Sequence, residues 1–222
     1  MNKYDYWTDG RLKSITTCTA DGEDEIESWH YNYTEEGILN QMVRSYDEDG
    51  FECRDDYRYN SEGKIETLTW YSDDEYCGEY RYSYNEKGDT TREEQLDSNG
   101  DVIIYTEYSF DENGKTESSH KYMYGSVTTY SLYSYYEESG LLSAITYYSG
   151  KGEITLIHKY EYNSENKLTR AYVCESDGTV AGYTESLYDD DGFNYRDIYY
   201  ENGTPVYRYD YTKDGVPVYS EY

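Results

Sequence analysis

Polar and apolar positions alternate along almost the whole chain. In YRYNSEGKI (57–65), Tyr57 and Tyr59 fall on one side of an extended segment and Arg58 on the other, because successive strand residues point to opposite faces. The figure returns as YDYWTDGRL at 4–12, YNYTEEGIL at 31–39 and YEYNSENKL at 160–168. Apolar residues spaced three and four apart, the mark of an amphipathic helix, are missing, so no long helix is predicted.

Aligned on this figure, the turn position falls at Gly10, Gly37, Gly63, Gly88, Gly114, Gly140, Asn166, Gly192 and Gly215, at spacings of 25 to 27 residues that shorten to 23 at the end. Four residues earlier stands an aromatic in every copy, Tyr136 among them, and six earlier a tyrosine in all but two, where Ser134 and Ser186 stand. The residue between these two is polar or charged except at Tyr135 and Leu187. One face of the predicted sheet therefore carries a ladder of tyrosines and the other is hydrated.

The turns follow from local chemistry. Stretches such as NSEG and NEKG suit a hairpin made of a type I turn and a left-handed residue, which glycine occupies without a Cβ clash. Asn166 stands where the other copies have glycine, and asparagine is among the residues best suited to positive φ. Asn, Asp, Ser or Thr at the turn entrance can accept backbone N–H bonds. A looser second turn lies halfway between, as in TADG (19–22), DEDG (47–50), DSNG (97–100), SGKG (149–152), ESDG (175–178) and ENG (201–203), with SDDE (72–75) and YMYGS (122–126) in the two remaining slots.

These turns predict an all-β chain: one antiparallel meander of about 18 strands, built from two-strand repeats of about 26 residues. Residues 1–222 form one continuous array in which each copy contacts mainly its neighbours. Twist disfavours so long a flat sheet, so an open spiral or flattened barrel with the tyrosine face inward is expected. Pro205 and Pro217, each two residues past a turn, and the shortened last spacing point to a C-terminal cap at about 193–222, since proline cannot donate to a ladder and sits at edges or strand starts.

Composition sharpens this picture. Leu, Ile, Val and Phe number only 31 of 222 residues, which with a net charge of −28 would suit a disordered chain. The 35 tyrosines argue otherwise, because they are periodic and supply large strand-favouring rings. The acidic field disfavours nucleic acid and anionic membranes, and no apolar run is long enough for a membrane-spanning helix. The repeat begins at Tyr4, too close to Met1 for a signal peptide. Cys18, Cys53, Cys77 and Cys174 form no CxxC pair and fall on strands that the repeat does not make neighbours, so reduced thiols are expected.

The quoted figures resemble the YD repeats of bacterial Rhs-type and related cell-surface proteins, whose motif is a tyrosine pair, a polar turn, glycine and then Arg-Leu. The resemblance covers nearly the whole chain, although SLYDDDGFN (186–194) and YDYTKDGVP (209–217) depart from Arg-Leu. It implies long antiparallel sheets that spiral.

Candidate chemistry is sparse. His30, His120 and His158 occupy unlike repeat positions, and no phosphate loop or nucleophile elbow occurs. LDSNGD (96–101) and YDDDG (188–192) bring oxygens to a turn but lack the full calcium-loop pattern, and read as hairpin formers. No catalytic residue, cofactor or metal is assigned. The regular tyrosines are read as core, which leaves the less regular Tyr130, Tyr133, Tyr147 and Tyr148 as candidate ligand contacts. The functional expectation is a non-enzymatic, monomeric binding or adhesion scaffold for a protein or carbohydrate, secreted or surface-displayed with its leader absent from this chain. The alternative is a cytoplasmic interaction or immunity protein that neutralises a basic partner.

Overall fold

The computed structural model describes residues 2–20, 24–46, 50–213 and 218–221, so Gly22, the first three residues of DEDG, Gly215 and Pro217 lie outside the described residues. All the described secondary structure is strand and turn. Eighteen strands belong to one antiparallel sheet in which strands consecutive in the chain pair, as the alternation predicts.

Two compact units divide the chain, residues 1–107 with 122–126, and residues 108–121 with 127–222. The first contains β1 (Asn2–Tyr6), β2 (Leu12–Cys18), β3 (Glu25–Tyr33), β4 (Leu39–Tyr46), β5 (Glu52–Tyr59), β6 (Ile65–Ser72), β7 (Glu75–Tyr84) and β8 (Thr90–Leu96). The strands β9 (Val102–Phe110) and β10 (Thr116–Met123) each contribute to both units. The second contains β11 (Ser126–Tyr135), apart from its first residue, and then β12 (Leu142–Ser149), β13 (Ile154–Tyr162), β14 (Leu168–Cys174), β15 (Val180–Tyr188), β16 (Asn194–Glu201), β17 (Thr204–Asp210) and β18 (Val218–Glu221).

The turns form as their residues require. Gly63 has φ 78° and Asn166 has φ 63° at equivalent places. At the turn entrance the Asn60 Oδ1 accepts the N–H groups of Glu62 and Lys64, and Asp111 does the same for Asn113 and Lys115. Three of the second turns are tighter. Asp73 and Asp74, Tyr124 and Gly125, and Asn202 and Gly203 each take two successive left-handed conformations, the two-residue hairpin turn whose twist matches that of its strands.

One turn shifts the ladder. Between Tyr136 and Leu141 the connection is one residue longer, with the Tyr136 N–H bonded to the Leu141 carbonyl, whereas in the other described turns of the tyrosine–glycine figure the span is that of Trp7 to Arg11. The ladder tyrosines of this copy are therefore Tyr133 and Tyr135, and the expected Tyr136 stands in the turn, 42% exposed. Ser134, an exception in the sequence alignment, is an ordinary outward residue. A register shift immediately before the turn aromatic recurs in the hairpins, for example at Asp5/Tyr6, Arg58/Tyr59 and Glu161/Tyr162, and such bulges increase local twist. Pro205 is the second residue of β17, opposite Tyr200 and beside another register shift.

Each ladder pair keeps to one face, with Tyr57 opposite Leu68 and Tyr31 opposite Met42. The opposite face is less plainly hydrated than expected. In the first unit Tyr105 stacks on Tyr122 at 4.4 Å, and in the second Tyr172, Tyr183 and Tyr200, consecutive in register, form a row with spacings of 5.4 and 4.5 Å. Guanidinium groups cover these rings, Arg92 over Tyr105 and Arg170 over Tyr183, and ion pairs hold them, Arg170 to Glu185 at 2.7 Å. Cys18, Leu96, Cys174 and Ile198 are the buried apolar residues among those described, so half-buried aromatic rings provide most of the apolar packing. No disulfide joins the four cysteines.

Close approach fixes Gly78. A Cβ on Gly78 would lie 2.3 Å from the Trp70 ring and 2.5 Å from the Leu96 carbonyl oxygen. Gly78→Ala is expected to cost about 1–3 kcal/mol by overpacking, read as a lower Tm in a protein with unchanged circular dichroism. Burial also raises the hydroxyl pKa of Tyr57, Tyr82 and Tyr160, and burial with the bond to Asp197 pushes Tyr211 up to about 12. Because folded values exceed the unfolded 10.0, their stabilisation is complete below about pH 10 and is lost as pH rises through the folded values. Strand circular dichroism should therefore fall together with the late tyrosinate absorbance, and ionisation of every tyrosine at the ordinary value would contradict this.

Candidate functional site

The edge at which the first-type turns emerge concentrates the chain's chemistry. The turn tyrosine donates its hydroxyl to the carbonyl of the residue opening the preceding strand, Tyr33 to Leu12 at 2.9 Å, Tyr59 to Leu39 at 2.6 Å, Tyr84 to Ile65 at 2.7 Å, Tyr135 to Thr116 at 2.9 Å and Tyr188 to Leu168 at 2.8 Å. Those carbonyls lie where the turn and bulge end regular pairing, so the bond joins consecutive hairpins and satisfies a polar group that the ladder leaves over.

A cation adds a second tie. Arg11, Lys64, Lys115 and Lys167, each directly after a turn glycine or Asn166, lie 4.9, 5.2, 5.0 and 5.7 Å from the ring centres of Tyr33, Tyr84, Tyr135 and Tyr188 in the next copy. Each also reaches the next turn glycine, where the space for a Cβ at Gly37, Gly88, Gly140 and Gly192 is taken by these same side chains. Lys64 donates to the Gly88 carbonyl at 2.7 Å. The intervening turns carry Ile38, Asp89, Leu141 and Phe193 at this position, so over the first eight copies the cation appears in every second one. That alternation is visible in the sequence, but an alignment built on tyrosine and glycine passes over it.

In the second unit, the turn pair that begins with Leu141 opens into a cleft of about 500 Å³. Its walls are the rings of Tyr136 and Tyr162, the carboxylates of Glu137, Glu138 and Glu161, and the side chains of Leu141 and Asn166. The two rings stand nearly perpendicular at 6.3 Å, and the Tyr136 hydroxyl donates to the Tyr160 carbonyl at 2.8 Å. Glu161 accepts the Tyr172 hydroxyl at 2.9 Å, with Arg170 4.0 Å away. Smaller clefts of about 300 Å³ in the first unit lie beside Tyr82 and Tyr84, and beside Trp7 and Tyr33.

The four tyrosines singled out in the sequence do not line these clefts, and they divide between faces. Tyr133 and Tyr147 lie with the ladder, where Tyr147 meets the His158 ring edge-on at 5.1 Å. Tyr130 and Tyr148 pair directly on the opposite face, stacked at 4.6 Å, and His120 stacks on Tyr130 at 5.3 Å. What sequence reading missed is Tyr136 with Tyr162, because the extra turn residue that releases Tyr136 is disguised by the neighbouring Tyr135.

The titratable groups divide cleanly. Asp97, Asp111 and Asp189 are held below the usual carboxylate range first by backbone N–H bonds of their own turns. Asp55, on the ladder face opposite Met42 and Trp70, is raised by burial and then by the Asp56 charge, and it lies outside the three clefts. Among the described residues no group of three or more His, Cys, Asp and Glu side chains is placed to hold a metal ion.

The fold and edge define a tyrosine-clamped β-hairpin repeat array. No family model matches the chain, and no curated protein matches it. Solved structures similar to it include TcdB2-TccC3 (15% identity, TM-score 0.41, 99% of this chain and 14% of that one) and TcdB2-TccC3 without its hypervariable C-terminal region (14%, TM-score 0.46, 95% and 12%). A porin-like protein from Bacteroides uniformis aligns at 13% identity and TM-score 0.44, over 89% of this chain and 87% of that one. The chain spans between 12% and 14% of the length of those two TcdB2-TccC3 chains.

The clamp is tested by a double-mutant cycle. Tyr84→Phe removes only the hydroxyl bond to Ile65 and is expected to cost about 1 kcal/mol. Lys64→Met removes the cation but keeps the stem, for about 0.5–1 kcal/mol. The two share one ring, so denaturant midpoints should reveal non-additive costs; strict additivity would show that the two ties act separately.

Proposed function

We propose that the chain is a non-enzymatic repeat scaffold for binding or adhesion, of the YD-repeat, Rhs-like kind, bacterial and secreted or displayed at the cell surface, with a protein or carbohydrate ligand. The observation that carries this reading is the self-satisfied turn edge. Ladder hydroxyls are bonded to backbone carbonyls and ladder rings are covered by the chain's own cations, so that chemistry is spent on holding hairpins in register. What remains for a ligand is the row of acidic turns and the clefts between them. Rigid aromatic rings give large contact area at low entropic cost, and hairpins held in a row present such contacts repeatedly.

A second reading, a cytoplasmic interaction or immunity protein that neutralises a basic partner, is favoured by the net charge of −28, since charge complementarity speeds and steers association.

Labelled protein on arrays of glycans and of bacterial and host proteins should retain at least one ligand above background, and an array that retains none counts against both readings. Salt separates them. Affinity for a basic partner should fall by roughly tenfold or more between low and physiological ionic strength, whereas affinity for a neutral glycan should hardly change.

A further inference from the structure

Four times in this chain a lysine or arginine side chain lies over a tyrosine ring and against the following turn, and each time the chain supplies that cation itself. At the turn pairs that begin with Ile38, Asp89, Leu141 and Phe193 that cation is missing, and the pair at 136–141 and 163–167 lines a cleft. Leu141 stands where the cation would start, Tyr162 is the ring it would cover, and Asn166 is the turn residue it would reach; all three line the cleft. Lys167, the nearest cation in the sequence, points onward to Tyr188 and pairs with Glu165 at 2.6 Å.

The walls of this opening suit a cation. Two tyrosine rings stand at 86° to each other there, and it is their negative faces that attract a cation, as in the aromatic cages that recognise ammonium groups elsewhere. Glu137, Glu138 and Glu161 line it and no lysine or arginine does. Of the three carboxylates Glu161 has a charged neighbour, Arg170, at 4.0 Å from its Oε2, and the same oxygen accepts the Tyr172 hydroxyl. The opening is large enough for a whole side chain and the backbone that carries it.

We propose that this cleft receives a lysine or arginine side chain from a partner protein, in the place that the chain's own cations fill at Tyr33, Tyr84, Tyr135 and Tyr188. The proposal rests on the binding-scaffold reading and names its partner chemistry: an exposed basic residue in an extended, accessible segment. A neutral sugar could also stack on Tyr136 and Tyr162, but it would make no use of the three carboxylates or of the repeated internal precedent.

Isothermal titration tests it with a short peptide carrying a central Arg or Lys, the same peptide with that lysine acetylated, and neutral oligosaccharides. Leu141→Lys fills the cleft from within and should reduce peptide affinity about tenfold, the scale of one desolvated cation–π contact, while leaving Tm equal or higher. Val180→Lys makes the same change in net charge at an exposed position outside the cleft and should leave the affinity within about twofold, because charges beyond a Debye length are screened. Equal losses from both variants, or equal binding of the acetylated peptide, would overturn the proposal in favour of the general acidic field. Oligosaccharide binding lost in Leu141→Lys, with no peptide binding, would make the cleft a sugar site instead. If no peptide binds but an array ligand does, this assignment fails and the scaffold reading stands.

Discussion

Everything in this molecule depends on a tyrosine that does two things at once. Its ring covers part of one sheet face, and its hydroxyl ties down a carbonyl that the neighbouring hairpin leaves without a ladder partner. A leucine would fill the first role and abandon the second; a serine would do the reverse. A chain with 31 residues of Leu, Ile, Val and Phe in 222 has little other apolar material, so it builds from the one side chain that is both large and polar-tipped. Few residues are fully buried because the packing unit is a half-covered ring.

Charge makes this arrangement exacting. With 47 acidic and 19 basic residues, several cations both neutralise carboxylates and cover a ring, as Arg92 does with Glu94 at 2.7 Å and Tyr105 at 4.1 Å. Exposed pairs of this kind contribute little singly. Their effect is positional, fixing which ring sits beside which strand. At the turns the acidic residues have a further structural task, since Asp97, Asp111 and Asp189 accept the backbone N–H groups of their own hairpins.

The cation that alternates from turn to turn gives the array a longer rhythm than its tyrosines suggest. The turn pairs joined by Arg11 and Lys64 leave clefts of about 300 Å³, and the pair joined instead by Tyr136 on Tyr162 leaves one of about 500 Å³. A repeat protein that differs between copies at one position can therefore vary its surface without altering the sheet beneath.

Periodicity made the strands, the turns and the two-sided ladder legible, because alternation and left-handed turn residues act over a few positions and need no distant partner. Asn166 shows this most directly: its backbone preference announced a turn that the coordinates place at φ 63°. Other features required neighbouring strands to be set side by side. Tyr130 and Tyr148 are eighteen positions apart and meet only through register; one additional turn residue moved the ladder from Tyr136 to Tyr135; and a lysine in one copy found its ring in the next. Short-range sterics wrote the elements into the chain, while tertiary pairing alone decided which rings are covered and which stand open.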